Sequence, residues 1–298
     1  MQILGAGLSG LLAACHFPTA TVYEASPPSE TGHKAVLRFR SSAVGDSVGI
    51  EFRKVRVRKG IWHNDAFREP TIQLANWYAR KVIGAVVDRS IWDLAPVDRY
   101  IAPENFQDQL IDRVGKRIFY NSPVTEASIR DFARHAPTIS TMPLSVLAQW
   151  FHRGGEPIRW QHEPIHVRRY RLHDADVFQT IYFPSLITSL YRVSITGNLI
   201  IAEYMQEPDG YNFLPAFGLN ADMIEPLDTT TQRFGKILPV NDAWRKAFIF
   251  SLSQQFRLYS LGRYGVWRNL LLDDVIQDIG QIKKMINASP YVQHLASL

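Results

Sequence analysis

Met1-Gln2-Ile3-Leu4-Gly5-Ala6-Gly7-Leu8-Ser9-Gly10-Leu11-Leu12-Ala13-Ala14-Cys15 decides the fold of this chain. A short apolar run leads into Gly5, Gly7 and Gly10, which make G-x-G-x-x-G, and an Ala-rich apolar stretch follows. Ala20-Thr21-Val22-Tyr23-Glu24 then reads as a second strand ending in an acid, near the ~20-residue spacing of a dinucleotide fingerprint. Gly5 allows the tight strand-to-helix turn, Gly7 lets a diphosphate approach the backbone, and Gly10 lets the helix pack on the sheet. Ala6, Leu8 and Ser9 complete the loop at the helix N-terminus, where phosphate charge is favoured. Glu24 is placed to accept hydrogen bonds from a ribose. A lone glycine pattern is weak, since glycines also make ordinary turns; strand, helix and acid in sequence strengthen it.

The 298 residues leave room for two domains, and 46% hydrophobic with 20% charged residues excludes a disordered composition. No apolar run approaches the ~20 residues of a membrane span. The fingerprint begins at the first residue, so no leader is expected ahead of it, and the single Cys15 reads as a small buried hydrophobe; a cytoplasmic location is expected. Net charge is +5, compatible with anionic partners without requiring them. Two basic clusters stand out, Arg53-Lys54-Val55-Arg56-Val57-Arg58-Lys59 and Arg168-Arg169-Tyr170-Arg171. Alternation puts Lys54, Arg56 and Arg58 on one strand face, either a solvated face or a contact for nucleic-acid phosphates.

Along the chain, helices are expected over 73–82, 102–111 with Pro103 in the first turn, about 144–151, 242–256 and from Leu270 onward. Strands are expected at 118–120 and 137–141, and β-rich sequence runs from Ile165 to Met205 with a hairpin turn at Thr196-Gly197-Asn198. These predict an α/β fold: a Rossmann-type dinucleotide-binding domain of parallel sheet and helices, with an inserted antiparallel β-rich substrate domain. The binding domain is discontinuous, 1–45 with 115–150 and 235–298, and the substrate domain takes 46–114 and 151–234. His162 and His166 share a strand face at best with Pro164 between them, and no Cys or carboxylate cluster stands nearby, so no metal site is expected.

Three pieces together resemble the glutathione-reductase-type Rossmann flavoproteins, nearest to the branch holding UDP-galactopyranose mutase and the flavin amine oxidases. They are Gly5 to Gly10 with Glu24, Ile139-Ser140-Thr141-Met142-Pro143, and Leu261-Gly262-Arg263-Tyr264-Gly265 with the closing helix. The resemblance implies FAD as cofactor, with Thr141, Gly262, Arg263 and Trp267 joining the fingerprint residues around it. It also implies that Arg38 or Arg40 neutralises the diphosphate, that His33 lies near the flavin, and that the last helix turns its N-terminus toward the flavin ring. The chain departs from the pattern where Gly32-His33-Lys34 replaces a Gly-Gly pair, and no second G-x-G-x-x-G provides an NADPH domain. Lys236, after Gly235, is the candidate to hold a water near the reacting atoms; Arg89 and Arg192 are candidates to pair with a substrate carboxylate or phosphate. Each also reads as a structural or surface charge.

The resemblance extends to small phage-encoded flavoproteins associated with hypermodified thymine. It implies an oxidoreductase acting on a C–N bond of an amine or amino acid, or of an amino-acid-modified thymine, with the strand at 53–59 meeting DNA. A mutase-like enzyme using reduced FAD on a nucleotide sugar, a flavin monooxygenase, and a non-enzymatic nucleic-acid-binding module remain as alternatives.

Overall fold

The structure, a computed structural model, describes residues 1–28, 36–86, 91–152, 154 and 158–288. Its elements in chain order begin β1 (Gln2–Leu4), α1 (Leu8–His16), β2 (Thr21–Tyr23), β3 (Arg38–Phe39), α2 (Ala43–Val48), β4 (Arg53–His63), β5 (Ala66–Arg68), α3 (Ile72–Ile83), β6 (Val97–Ile101), α4 (Phe106–Val114), β7 (Ile118–Phe119), α5 (Glu126–His135), β8 (Thr138–Ser140) and α6 (Leu144–Phe151). They continue with β9 (His162–Leu172), β10 (Val177–Tyr182), β11 (Leu190–Gly197), β12 (Leu199–Tyr204), β13 (Ile224–Ile237), α7 (Asp242–Phe256), β14 (Leu258–Ser260), α8 (Gly262–Gly265) and α9 (Leu272–Asn287). Two compact units result. The first takes residues 1–53, 100–160 and the stretch from Pro239; the second takes 54–99 and 161–238.

In the first unit a parallel sheet runs β14-β8-β1-β2-β7. Ile3 stands in register with Val22 on one side and Ile139 on the other, and all three are fully buried, as strands covered on both faces require. β1, α1 and β2 form the βαβ unit read from the N-terminal stretch. β14 enters beside β8, so sequence from the far end of the chain completes the sheet. Phe39, Phe52 and Phe106 meet as an aromatic trio, with ring centroids 4.7 Å apart for Phe39–Phe52 and 5.2 Å for Phe52–Phe106. α4 buries Phe106, Leu110 and Val114 in the core that also holds α1. Residues 100–114 therefore lie in the first unit, where the sequence reading had assigned them to the substrate domain.

The second unit holds a mixed sheet ordered β13-β9-β12-β11-β10-β4, with β5 paired on β4. The sequence pattern shows an antiparallel set here. β9 to β12 are antiparallel, but β10 and β4 run parallel, because β4 comes from a separate stretch of chain. Asn64 and Asp65, at φ 51° and 53°, make the two-residue turn between β4 and β5. One sheet face packs Ile181, Val193, Ile195 and Ile200 against Phe213 and Ala216. The other packs Ile61, Val167, Tyr182 and Tyr191 against Leu74, Tyr78 and Val82 of α3. β13, the longest strand described, was not expected; its alternation is obscured by Pro226 and by register shifts at Pro226/Asp228 and Gln232/Lys236. α2 and α5 were likewise not expected. α5 is announced locally by Thr125, whose hydroxyl accepts the Ser128 N–H at 3.2 Å.

Candidate functional site

A cleft of about 470 Å³ in the first unit is lined by Gly7, Leu8 and Ser9 from the glycine loop, Val36 to Phe39, Thr141, Leu261 to Tyr264, and Leu270 to Leu272 with Val275. Three stretches read separately from the sequence, the fingerprint, the turn after β8 and the turn after β14, thus converge on one cavity.

The convergence rests on close packing. Thr141 donates its hydroxyl to Leu4 O at 2.8 Å and lies over Gly5, where a Cβ would stand 2.3 Å from Oγ1. A Cβ on Gly262 would stand 2.5 Å from Ser9 Oγ, and one on Gly10 would stand 1.9 Å from Gly5 O. Gly5, Ala6 and Gly10 shape the loop without lining the cleft. Gly7 does line it, and a Cβ there would meet nothing within 4 Å, so the backbone at Gly7 is open. Gly7 is also the N-cap of α1 and offers no capping side chain. The first-turn N–H groups of Leu8, Ser9 and Gly10 lack intrahelical acceptors by geometry and face a region where an anion is favoured. Arg38 and Arg263 line the same cleft.

Glu24 is placed differently from the expectation of a ribose acceptor alone. Its Oε2 accepts the Ala6 N–H at 2.7 Å and its Oε1 accepts the Ser26 N–H at 2.9 Å, so the carboxylate braces the glycine loop. Trp267 does not line the cleft. It is buried, in a positive-φ conformation, with its ring 4.9 Å from that of Trp160. Arg40, offered with Arg38 as a diphosphate neutraliser, pairs with Asp274 instead. α9 presents its first turn to the cleft. That turn carries Asp273 and Asp274, and Asp274 Oδ2 accepts the Leu271 N–H at 2.9 Å, which takes up part of the helix's N-terminal charge.

Within the second unit, Arg192 gives both arms of its guanidinium to Glu203, Nη2 to Oε1 at 2.7 Å and Nε to Oε2, while Tyr191 donates to Glu203 Oε1 at 3.0 Å. This corrects the reading of Arg192 as a substrate clamp: its bidentate geometry is already spent on the neighbouring strand. Burial alone would raise the Glu203 carboxyl, but Arg192, with Lys236 and Tyr191 behind it, outweighs burial and holds it below the usual carboxylate range. Lys236 lies near the end of β13 with Nζ 5.0 Å from the centroid of the Tyr191 ring. Gly235 before it makes no turn; it sits in the strand, where a Cβ would stand 2.5 Å from Ile165 Cγ1. His33 and Arg89 lie outside the described residues. On the basic strand, Lys54 and Arg56 both pair with Asp98, at 3.1 and 2.9 Å, so two of its cations share one carboxylate.

Lys81 was not singled out by sequence. From α3 its ammonium donates to the carbonyls of Phe183 and Ser185, at 2.9 and 2.6 Å, and to that of Leu190. Burial pushes its pKa down to about 7, opposed by Asp209. No local pattern distinguishes it from the neighbouring Arg80, since its acceptors lie about a hundred residues away.

The class of fold is therefore a two-unit α/β architecture with a Rossmann-type parallel sheet and a separate mixed sheet. Solved structures share it. UDP-galactopyranose mutase in its reduced form superposes with a TM-score of 0.63 at 14% identity, over 97% of this chain and 94% of that one. An oxidoreductase from Methanosarcina mazei gives 0.54 at 11%, over 95% and 99%. The tetrameric 2-methyl-3-hydroxypyridine-5-carboxylic acid oxygenase gives 0.51 at 10%, over 99% and 84%. At these identities the likeness is one of fold. No family profile matches the chain, and no curated protein matches it in sequence. Among the described residues, no helix is long and apolar enough to cross a membrane.

Proposed function

We propose that the protein is an FAD-dependent oxidoreductase that oxidises a C–N bond of an amine or amino-acid substrate. The observation that carries the cofactor is the single cleft lined by Gly7 to Ser9, Arg38, Thr141, Gly262 and Arg263, with the uncapped start of α1 open onto it. The donors suit a dinucleotide diphosphate: backbone N–H groups of a helix start and two guanidinium-bearing residues. The Glu24 carboxylate braces the loop and keeps acceptor capacity for a ribose hydroxyl, since each carboxylate oxygen can take more than one donor. Leu37 and Leu261, with Leu271 more open at the edge, offer an apolar wall for an aromatic ring system. When bound, FAD supplies a two-electron acceptor. The substrate class follows from the resemblance of the three motifs to the flavin amine oxidase branch. It requires the amine to be held neutral and oriented.

The visible spectrum of the purified protein is the first test. A bound flavin absorbs in the blue, and anaerobic addition of an amine or amino acid should bleach it, with peroxide formed when air is admitted. A colourless protein that does not take up added FAD overturns the cofactor; a yellow protein bleached by none of these overturns the substrate class.

The similarity to UDP-galactopyranose mutase over nearly the whole of both chains favours a second reading, a mutase acting on a nucleotide sugar. That reading predicts UDP-sugar binding and turnover only after dithionite reduction, with no peroxide.

A further inference from the structure

Two walls of the cleft are tied together by groups that the proposed function does not use. One wall is Leu37, Arg38 and Phe39; the other is Leu270 to Leu272 at the start of α9. Phe39 turns into the core against Phe52, Arg38 lines the cleft, and Arg40 reaches α9. Asp273 Oδ1 accepts the backbone N–H groups of both Arg40 and Ser41, at 3.0 and 3.2 Å. Asp274 takes the Arg40 guanidinium on Oδ1 and the Leu271 N–H on Oδ2. The tie joins segments 233 residues apart in sequence, and the Asp273 side chain is only 9% exposed.

The charges matter as much as the bonds. Two carboxylates stand directly after the lining residues Leu271 and Leu272, beside a cleft suited to a diphosphate. Carboxylates there oppose an anionic ligand, and Arg40 offsets one of the two charges. Resting on the FAD reading, we propose that Arg40 is a positioning residue for the cofactor: its guanidinium screens Asp273 and Asp274 from the diphosphate.

The test is FAD affinity of the deflavinated protein, measured by flavin fluorescence at low and high salt, for wild type, Arg40→Gln and Arg40→Lys. Arg40→Gln should weaken FAD roughly five- to tenfold at about 0.05 M salt, the scale of one uncompensated charge acting on a phosphate at an effective dielectric of about 20–40. Screening shortens the Debye length to about 3 Å at 1 M salt, so the loss should shrink to about twofold or less there. Arg40→Lys should stay near wild type. Riboflavin, which has no phosphates, should bind wild type and Arg40→Gln alike. The melting temperatures of the flavin-free proteins should agree, since the Arg40 side chain is half exposed. Equal FAD affinities for wild type and Arg40→Gln, or a loss that salt does not diminish, overturn this inference alone. A wild-type protein that does not bind FAD overturns the cofactor reading and this inference with it.

Discussion

Gly262→Ala tests whether the C-terminal turn is built onto the glycine loop. Gly262 has φ +78°, and a Cβ added there would stand 2.5 Å from Ser9 Oγ and 2.8 Å from Ser9 Cβ. Two costs add. A residue with a side chain in left-handed backbone costs about 1–2 kcal/mol. Forcing a methyl into filled space costs about 1–3 kcal/mol more, because Ser9 lies in the first turn of α1 and cannot retreat without moving the helix start. The sum, about 2–5 kcal/mol, should lower the urea midpoint by about 1–2.5 M at a slope of about 2 kcal/mol per M. Ser9→Gly removes both clashing atoms. In that background Gly262→Ala should cost only the backbone part, so the coupling between the two sites is the steric part, about 1–3 kcal/mol. If the single substitution costs less than about 0.5 kcal/mol, or if the two substitutions add within that margin, the interlock is refuted.

Replacing Glu203 by Leu should destabilise the second unit by about 2 kcal/mol, below the ~3–5 kcal/mol of a fully buried broken pair because Arg192 is about one-third open; adding Arg192→Met should recover part of the loss, as read by urea unfolding. Phe106→Ala removes two ring contacts from the aromatic trio and should cost about 3–5 kcal/mol in the same assay, unfolding the first unit at lower urea. Lys81 sets a pH dependence. Its folded pKa, about 7, lies below the unfolded value of 10.5, so between those values the unfolded chain binds the extra proton and stability from this group rises with pH, while its full penalty is present below pH 7. Wild type should therefore gain up to about 1.4 kcal/mol per pH unit over Lys81→Met between pH 7 and 9; parallel profiles for the two proteins would contradict the burial of the charge.

Much of the first unit was legible because its signals are local. Glycine spacing, an apolar strand, an Ala-rich helix and a terminal acid fall within the first 24 residues, and each is read from neighbours a few positions away. The turn at Asn64-Asp65 and the cap at Thr125 carry equally local signals. β13 was hidden because Pro226 and two register shifts break the period-2 pattern on which strand reading depends. The side-chain roles were the least legible. Arg192, Arg40 and Lys81 look alike in sequence, a cation beside apolar residues, yet one is bound to Glu203, one to Asp274 and one to three carbonyls.

The sequence by itself determined that the N-terminus makes a βαβ unit with an uncapped helix start, because strand, turn and helix there are set by steric and hydrogen-bonding rules that act over a few residues. Only the tertiary structure decided that Thr141 and Gly262 close on that loop, that Glu24 braces it, that Trp267 is core, and that Arg40 ties α9 to the cleft wall. Those outcomes depend on contacts between segments from 18 to more than 200 residues apart, where a charged side chain or a glycine carries no mark of the partner it will meet until the sheet has brought the two together.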